Sequence, residues 1–558
     1  MASSQSPLQR LRELIAVERD DVHTLIIYGI AIGLMSLATP IAVQALVNTI
    51  AFGALLQPLA VLTLILLVLM LLGNSLAALQ FYVVEMLQRR LFVRHFGLAA
   101  QQLAHARFEL HDSRHLPELA NRFFDVVTLQ KTAAVMLLET LGYLLQTLIG
   151  MILLAFYHPM LLAFDLFMVA MLAFILFVLG KEGVKTAIEQ SKAKYEAAAW
   201  LETIATHPLL TRNAAGERFF HERSERLATD YLNACQRHFR ILNRQNIAAL
   251  SLHAVANTLL LGMGGWMVIE RQLSLGQLIA AELVVSAMIY GLTRLGKTLD
   301  NFYELLTSLD KIGHLQDLPQ EIGNDEAILE ISEPYRVDIH HLSVARLPTL
   351  DRLDDIDLHL TPGEHLLIGT GAERGTLLDC LFGLRTPLSG RIEIDGHDLR
   401  ELNLLRLRDR IALVREAEII EAGILDNLKL GWNADNQQCR KALATVELLD
   451  FVLSLPDGLN TRLAANGAPL NQEQALRLTL ARAVCRQPKL LLLDRVPDCI
   501  DRRALPGILH SLTSEQAPWT LVVVSQEPAV ADFCRRRIEI RNGRVMALPA
   551  QPDNGAAS

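Results

Sequence analysis

Four ionisable side chains lie where water is scarce. Glu139, Asp165, His253 and Glu282 each interrupt an apolar stretch long enough to cross a bilayer. A charge at the worst depth costs about 2.5–3.5 kcal/mol on insertion scales, so such groups face a partner or a cavity. The three carboxylates could line an acidic path for a cationic or peptide-like substrate. The plainer reading is preferred: Glu139 and Glu282 lie shallow, and Asp165 is paired inside the helix bundle. The other reactive side chains are six cysteines, at 235, 380, 439, 485, 499 and 534. None forms a C-x-x-C pair, so neither a zinc site nor a disulfide framework is expected.

These carboxylates imply helices to carry them. Of 558 residues, 51% are hydrophobic and only 20% are charged, more apolar surface than a soluble chain could bury. Six apolar stretches, 24–50, 58–84, 132–157, 159–180, 245–269 and 273–293, each reach the roughly 20 residues a membrane helix needs. Arg89, Arg90, Arg94, Arg107, Arg114, Arg122 and Lys131 separate the second from the third. Residues 181–244, between the fourth and fifth, are richer still in basic side chains. The opposite loops are very short, with Arg271 their one basic residue. The positive-inside rule then places both termini and both long loops in the cytosol. Helical spacing over 101–130 and 195–228 predicts that the membrane helices continue into the cytosol.

The composition changes after about residue 304. Residues 310–334 are largely polar, contain Pro319 and Pro334, and read as a linker. Short β-like runs at 335–339, 365–368, 391–394, 410–414, 490–494 and 519–525 then alternate with helices, which implies an α/β sheet domain. The expected division is a cytosolic segment at 1–22, a six-helix membrane domain at 23–305, a linker at 306–334, the α/β domain at 335–548 and a polar tail at 549–558. The net charge of -8, with no basic run interleaved with aromatics, gives no reason to expect nucleic acid. Membrane lipid is the partner that composition does imply.

Residues 467–501, GAPLNQEQALRLTLARAVCRQPKLLLLDRVPDCID, resemble the signature-helix, Walker B and D-loop block of ABC ATPases. LLIGTGAERGTLLDCLFGL, from Leu366, stands where that family has its phosphate loop. VVVSQEPAVADFCRRRIEIRNGRV closes the domain. LSLGQLIAAE at 273–282 and WLETIATHPLLTRNAAGE at 200–217 are similar to the exporter branch that includes type I secretion and peptide-exporting half-transporters. The resemblance implies a six-helix exporter-type membrane domain fused to a P-loop NTPase fold, in a bacterial inner membrane. It also implies ATP with Mg²⁺ as ligand, a second half-transporter as partner and secretion-system components as further contacts.

The motifs are damaged throughout. A working phosphate loop reads G-x-x-x-x-G-K-[ST]: backbone N–H groups meet the phosphates, the Lys neutralises charge and the hydroxyl holds Mg²⁺. The alignment puts Arg374 at the Lys, Glu373 at the last Gly and Gly375 at the metal-binding Ser, beside Thr376. Gly369 and Gly371 remain, with the spacing shortened by about one residue. A carboxylate at Glu373, about 4 Å from a phosphate at an effective dielectric of about 20, costs on the order of 4 kcal/mol. Millimolar to micromolar binding is worth only about 4–8 kcal/mol in all. Asp494 of Walker B survives as a candidate Mg²⁺ ligand. The family's catalytic Glu is Arg495, which cannot accept a proton from water, and its switch His is Gln526. The Q-loop Gln is Glu416, and the adenine-stacking aromatic falls at Arg346. The signature reads Leu470, Asn471, Gln472, Glu473, Gln474, with Glu473 expected to aim a carboxylate at the phosphate; the D-loop Asp survives as Asp501.

Each composite site in this family joins one subunit's phosphate loop to the other's signature, so a homodimer of this chain would lack a competent site. The resemblance therefore favours a pseudo-ATPase half-transporter in a heterodimer over a homodimer. Two alternatives stand beside it. One is a regulatory or scaffolding membrane protein that no longer transports. The other is an exporter active through an unorthodox site built on Asp494, Arg374 and Thr376.

Overall fold

The structure, a computed structural model, describes residues 6–51, 56–110, 116–321, 333–346, 351–369 and 374–547. The chain divides into two compact units, Met1–His105 with His115–Pro319, and Ala106–Arg114 with Gln320–Ser558.

The first unit is helical. Five of its helices are long and apolar enough to cross a membrane: Arg19–Asn48, Leu59–Ala104, Leu119–Tyr157, Pro159–Leu179 and Ala214–Ile269. The sixth expected stretch forms the helix Leu275–Thr293, whose apolar part, Leu275–Met288, is shorter. The first is broken between Ser36 and Ala38. Pro40 explains the break, because it donates no N–H and its ring clashes with the carbonyl four residues earlier. The helices Leu56–Ala104 and Ala214–Ile269 hold 49 and 56 residues. At 1.5 Å per residue they run about 73 and about 84 Å, far beyond a hydrocarbon core of about 30 Å.

Three expectations need correction. Residues 195–228 are not one helix: one helix ends at Thr206 and the next begins at Ala214. Residues 101–130 are not one helical segment: the helix ends at Ala104, and Ala106 pairs with Gln320 in a β-bridge. The residues read as a linker from 306 begin as helix, Leu295–Gln316. Tyr303, Leu306, Leu309, Ile312 and Leu315 recur at helical spacing and are all buried, which the polar composition around them obscured. Residues 322–332 and the tail at 549–558 lie outside the described residues.

The second unit holds two sheets. The strands are β1 (Val337–Arg346), β2 (Asp351–Leu360), β3 (His365–Ile368), β4 (Ser389–Ile394), β5 (His397–Asp398), β6 (Ile411–Val414), β7 (Leu490–Asp494), β8 (Thr520–Val524), β9 (Arg536–Arg541) and β10 (Arg544–Ala547). An antiparallel sheet runs β2-β1-β4-β5. The other runs β10-β9-β3-β8-β7-β6, parallel from β9 to β6, with β10 antiparallel at the edge. Its inner strands, LLLLD and TLVVV, are buried on both faces, which is why they read as unbroken apolar runs. Side-chain alternation divides them between two cores. Leu491, Leu493, Leu521 and Val523 join one; Leu490, Leu492, Val522 and Val524 join the other. The unit also takes in Phe108, whose ring lies 5.7 Å from the Arg385 guanidinium.

Candidate nucleotide site

The site is built at the ends of β3 and β7. Strand β3 stops at Ile368, and the Gly369 N–H donates to the Ile538 carbonyl at 2.8 Å. The helix Arg374–Leu381 follows. Gly371 and Glu373 lie outside the described residues, as do the side chains of Arg346 and Arg374. Thr376 is 1% exposed, and its hydroxyl has no hydrogen-bond partner among the described residues. Gly375 brings no hydroxyl at all.

Asp494 closes β7 and is buried. It is already taken. Arg415 Nε donates to Asp494 Oδ2 at 2.6 Å, and Arg415 Nη2 donates to Asp379 Oδ1 at 2.7 Å. The same Nη2 lies 3.3 Å from the Gly375 carbonyl. Asp379 is fully buried and also accepts from Arg385 Nε at 2.7 Å. Four side chains thus form one chain of alternating charge: Arg385, Asp379, Arg415, Asp494. Burial disfavours the Arg415 charge, but the two carboxylates outweigh this and hold it more firmly protonated than an ordinary arginine. Removing one member of such a buried pair typically costs about 3–5 kcal/mol.

Arg495 follows in the left-handed region, at φ 56. Its N–H donates to the Val524 carbonyl at 2.8 Å, while its side chain is 61% exposed, with Nε 3.9 Å from Asp494 Oδ1. Gln526 is exposed, its N–H held by Asp498 at 2.8 Å. Glu416, one residue beyond Arg415, is exposed too.

The signature residues open the helix Gln472–Cys485. Asn471 and Gln474 cap it reciprocally: Asn471 Oδ1 accepts from the Gln474 N–H at 2.8 Å, and Gln474 Oε1 accepts from the Asn471 N–H at 3.0 Å. Leu470 is buried beneath and Gln472 is exposed. Glu473 does not point outward from the helix start, as the sequence suggested. It turns back to Arg477, which donates to it at 3.1 Å, and it accepts the Asp501 N–H at 3.3 Å. A neighbouring cation and a loop N–H satisfy the carboxylate better than water does.

The family model for the ABC transporter transmembrane region matches residues 23–292, and the model for the ABC transporter domain matches residues 353–496. Between them they account for most of the chain. The chain belongs to the ABC transporters. It is 27% identical over 290 residues to the alpha-hemolysin translocation ATP-binding protein HlyB of Escherichia coli O157:H7, covering 51% of this chain and 41% of that one. It is 29% identical over 287 residues to the ATP-dependent lipid A-core flippase of Bordetella avium, covering 50% and 48%. A sophorolipid transporter of Starmerella bombicola is 30% identical over 237 residues, covering 40% and 18%. The chain spans less than half the length of these curated relatives. The structure of a bacterial Atm1-family ABC exporter with ATP bound superposes with a TM-score of 0.84 over 95% of each chain, at 18% identity, a likeness in fold.

ABC transporter domains in general bind ATP with Mg²⁺. Mg²⁺ demands near-octahedral oxygen ligands at about 2.0–2.1 Å. In this ABC transporter the sequence alignment puts Gly375 at the hydroxyl position, and the Asp494 oxygen faces a guanidinium at 2.6 Å. The residues present do not fit the metal. Arg415, Asp379 and Arg385 were absent from the sequence reading. The available signal was Asp379, a lone carboxylate in TLLDCL between apolar neighbours.

The membrane carboxylates of this integral membrane protein differ among themselves. Glu139 sits in a π-helical turn, Met136–Thr140, 3.7 Å from Arg294. Glu282 accepts the Ser286 hydroxyl at 3.3 Å. His253 lies 3.4 Å from Asn257. Asp165 was expected to be paired, and among the described residues it is not. It is 1% exposed, and neither oxygen has a hydrogen-bond partner among them. Three and four residues on, Met168 and Val169 line a cavity of about 140 Å³ together with Thr140, Tyr143, Thr147 and Met288.

Proposed function

We propose that this chain is a half-transporter subunit that does not hydrolyse ATP, and that it works beside a second half-transporter that does. The observation that carries this reading is the Arg415–Asp494 ion pair at 2.6 Å. It occupies the one acidic group of Walker B, and the next residue, Arg495, cannot serve as a base. ABC exporters generally act as dimers in which each ATP site spans both subunits. With phosphate loop and signature both altered, two copies of this chain leave no complete site, so a heterodimer is favoured over a homodimer.

The setting is a bacterial inner membrane with both termini in the cytosol, as the distribution of arginine and lysine supports. The likeness to a hemolysin translocation protein makes secretion-system components reasonable neighbours. The cavity beside Met168 is where a transported molecule would be held, and its lining of hydroxyls and methionines suits a partly apolar one. Co-expression of the tagged chain with candidate half-transporters that keep intact Walker motifs tests the pairing. The expected result is a purified complex containing one copy of each, with turnover abolished by a Walker B change in the partner. A stable homodimer that hydrolyses ATP would overturn the proposal.

A further inference from the structure

The charge chain at the end of β7 links two elements through side chains alone. Two carboxylates, Asp379 and Asp494, converge on Arg415 at 2.7 and 2.6 Å. Arg385 supplies a second guanidinium to Asp379. Two positive charges meet two negative ones, so these four side chains carry no net negative charge to attract a divalent ion. A planar fork with several N–H donors matches two carboxylates from different elements. Gly375 leaves the fork its room. A Cβ there would stand 3.4 Å from Asp494 Oδ2 and 3.7 Å from Arg415, so a side-chain oxygen one bond further would compete for the same place.

We propose that Arg415 is a resident cation, set between Asp379 and Asp494 in place of a divalent metal, so that the α/β unit holds its phosphate-loop helix to β7 without one. The Arg415 side chain is about one quarter exposed and the two carboxylates are almost fully buried. The guanidinium therefore closes the site from the solvent side. Its partners lie on different elements, the helix Arg374–Leu381 and β7, so the ion pairs tie together what a metal would tie. This deepens the reading given under Proposed function, since it rests on Asp494 being the surviving Walker B acid, but it needs no statement about a partner.

It also predicts a latent site. With Arg415 replaced by a neutral side chain, Asp494 loses its counter-ion, and two facing carboxylate oxygens from Asp379 and Asp494 become available to a hard cation. The test uses the full-length chain in nanodiscs, without nucleotide, and Mn²⁺ as the probe. Bound Mn²⁺ is read by the loss of its free electron-paramagnetic signal, and stability by the thermal midpoint. Wild type is expected to bind no Mn²⁺ beyond what Asp494→Asn binds, and its midpoint is expected to ignore the ion. Arg415→Gln is expected to melt lower, to bind about one Mn²⁺ per chain and to recover stability on binding. Arg415→Gln/Asp494→Asn is expected to lose that binding. Asp494-dependent Mn²⁺ binding by wild type would overturn the proposal, and so would an Arg415→Gln chain that ignores the ion. If Arg415→Gln does not fold, the comparison of wild type with Asp494→Asn decides alone. Because turnover is not read, the two readings fail separately: metal binding by wild type without hydrolysis sinks only this one.

Discussion

Arg415 and Asp494 are 79 residues apart in sequence, and Arg415 and Asp379 are 36 apart. No local pattern announces such a contact. Motif comparison locates Asp494, Arg495 and Gln526 because each sits in a recognisable block; Arg415 is not among the motif residues that the comparison uses. One consequence concerns repair. Arg495→Glu combined with Gln526→His restores two family residues but leaves Asp494 bound to Arg415 and Gly375 without a hydroxyl. Phosphate release by the double variant is expected to stay at the level of Asp494→Asn. Turnover above that level would show that the ion pair is no obstacle. A second consequence concerns Asp165. A buried polar group without a partner costs about 1–3 kcal/mol. Asp165→Leu is therefore expected to raise the thermal midpoint of the membrane unit in detergent. A fall instead would mean that the carboxyl has a partner that a single chain does not supply.

Strands β3 and β7 were legible to the residue because both are continuous apolar runs between turn residues, as buried parallel strands must be. Strand β2 was not. Its inward residues Leu353, Ile356, Leu358 and Leu360 break step where Asp355 takes a positive φ of 55, and that slip hides the alternation. Strands β9 and β10 were missed because arginines fill their exposed positions. The helix Leu295–Gln316 extends past the boundary read from composition because it buries polar side chains, Thr307, Ser308 and Lys311, alongside its leucines. One prediction belongs to β3. Burial, helped by Arg535 and opposed by Glu364, lowers the pKa of His365 at its start. The unfolded chain therefore binds that proton more readily than the folded one. His365 contributes its full stability above the unfolded pKa of about 6.5, and the contribution is lost as pH falls below that value toward the lower folded pKa. Thermal midpoints of the α/β unit are expected to drop between about pH 7 and pH 5.5, and to drop less in His365→Phe. An equal drop in both would place the effect elsewhere.

At the scale of the whole molecule, the membrane helices and the α/β fold are those of an ABC transporter. The Asn471–Gln474 cap, the Glu473–Arg477 pair and the Arg385–Asp379–Arg415–Asp494 chain each satisfy polar groups around the candidate nucleotide site from within the chain. On the proposal made above, this chain contributes helices to the transporter and its partner contributes the chemical step. The most direct measurement is phosphate release by the purified full-length chain in nanodiscs with ATP and Mg²⁺, beside Asp494→Asn prepared identically. Equal, background-level rates are predicted. A faster rate in wild type, lost in Asp494→Asn, would contradict the account.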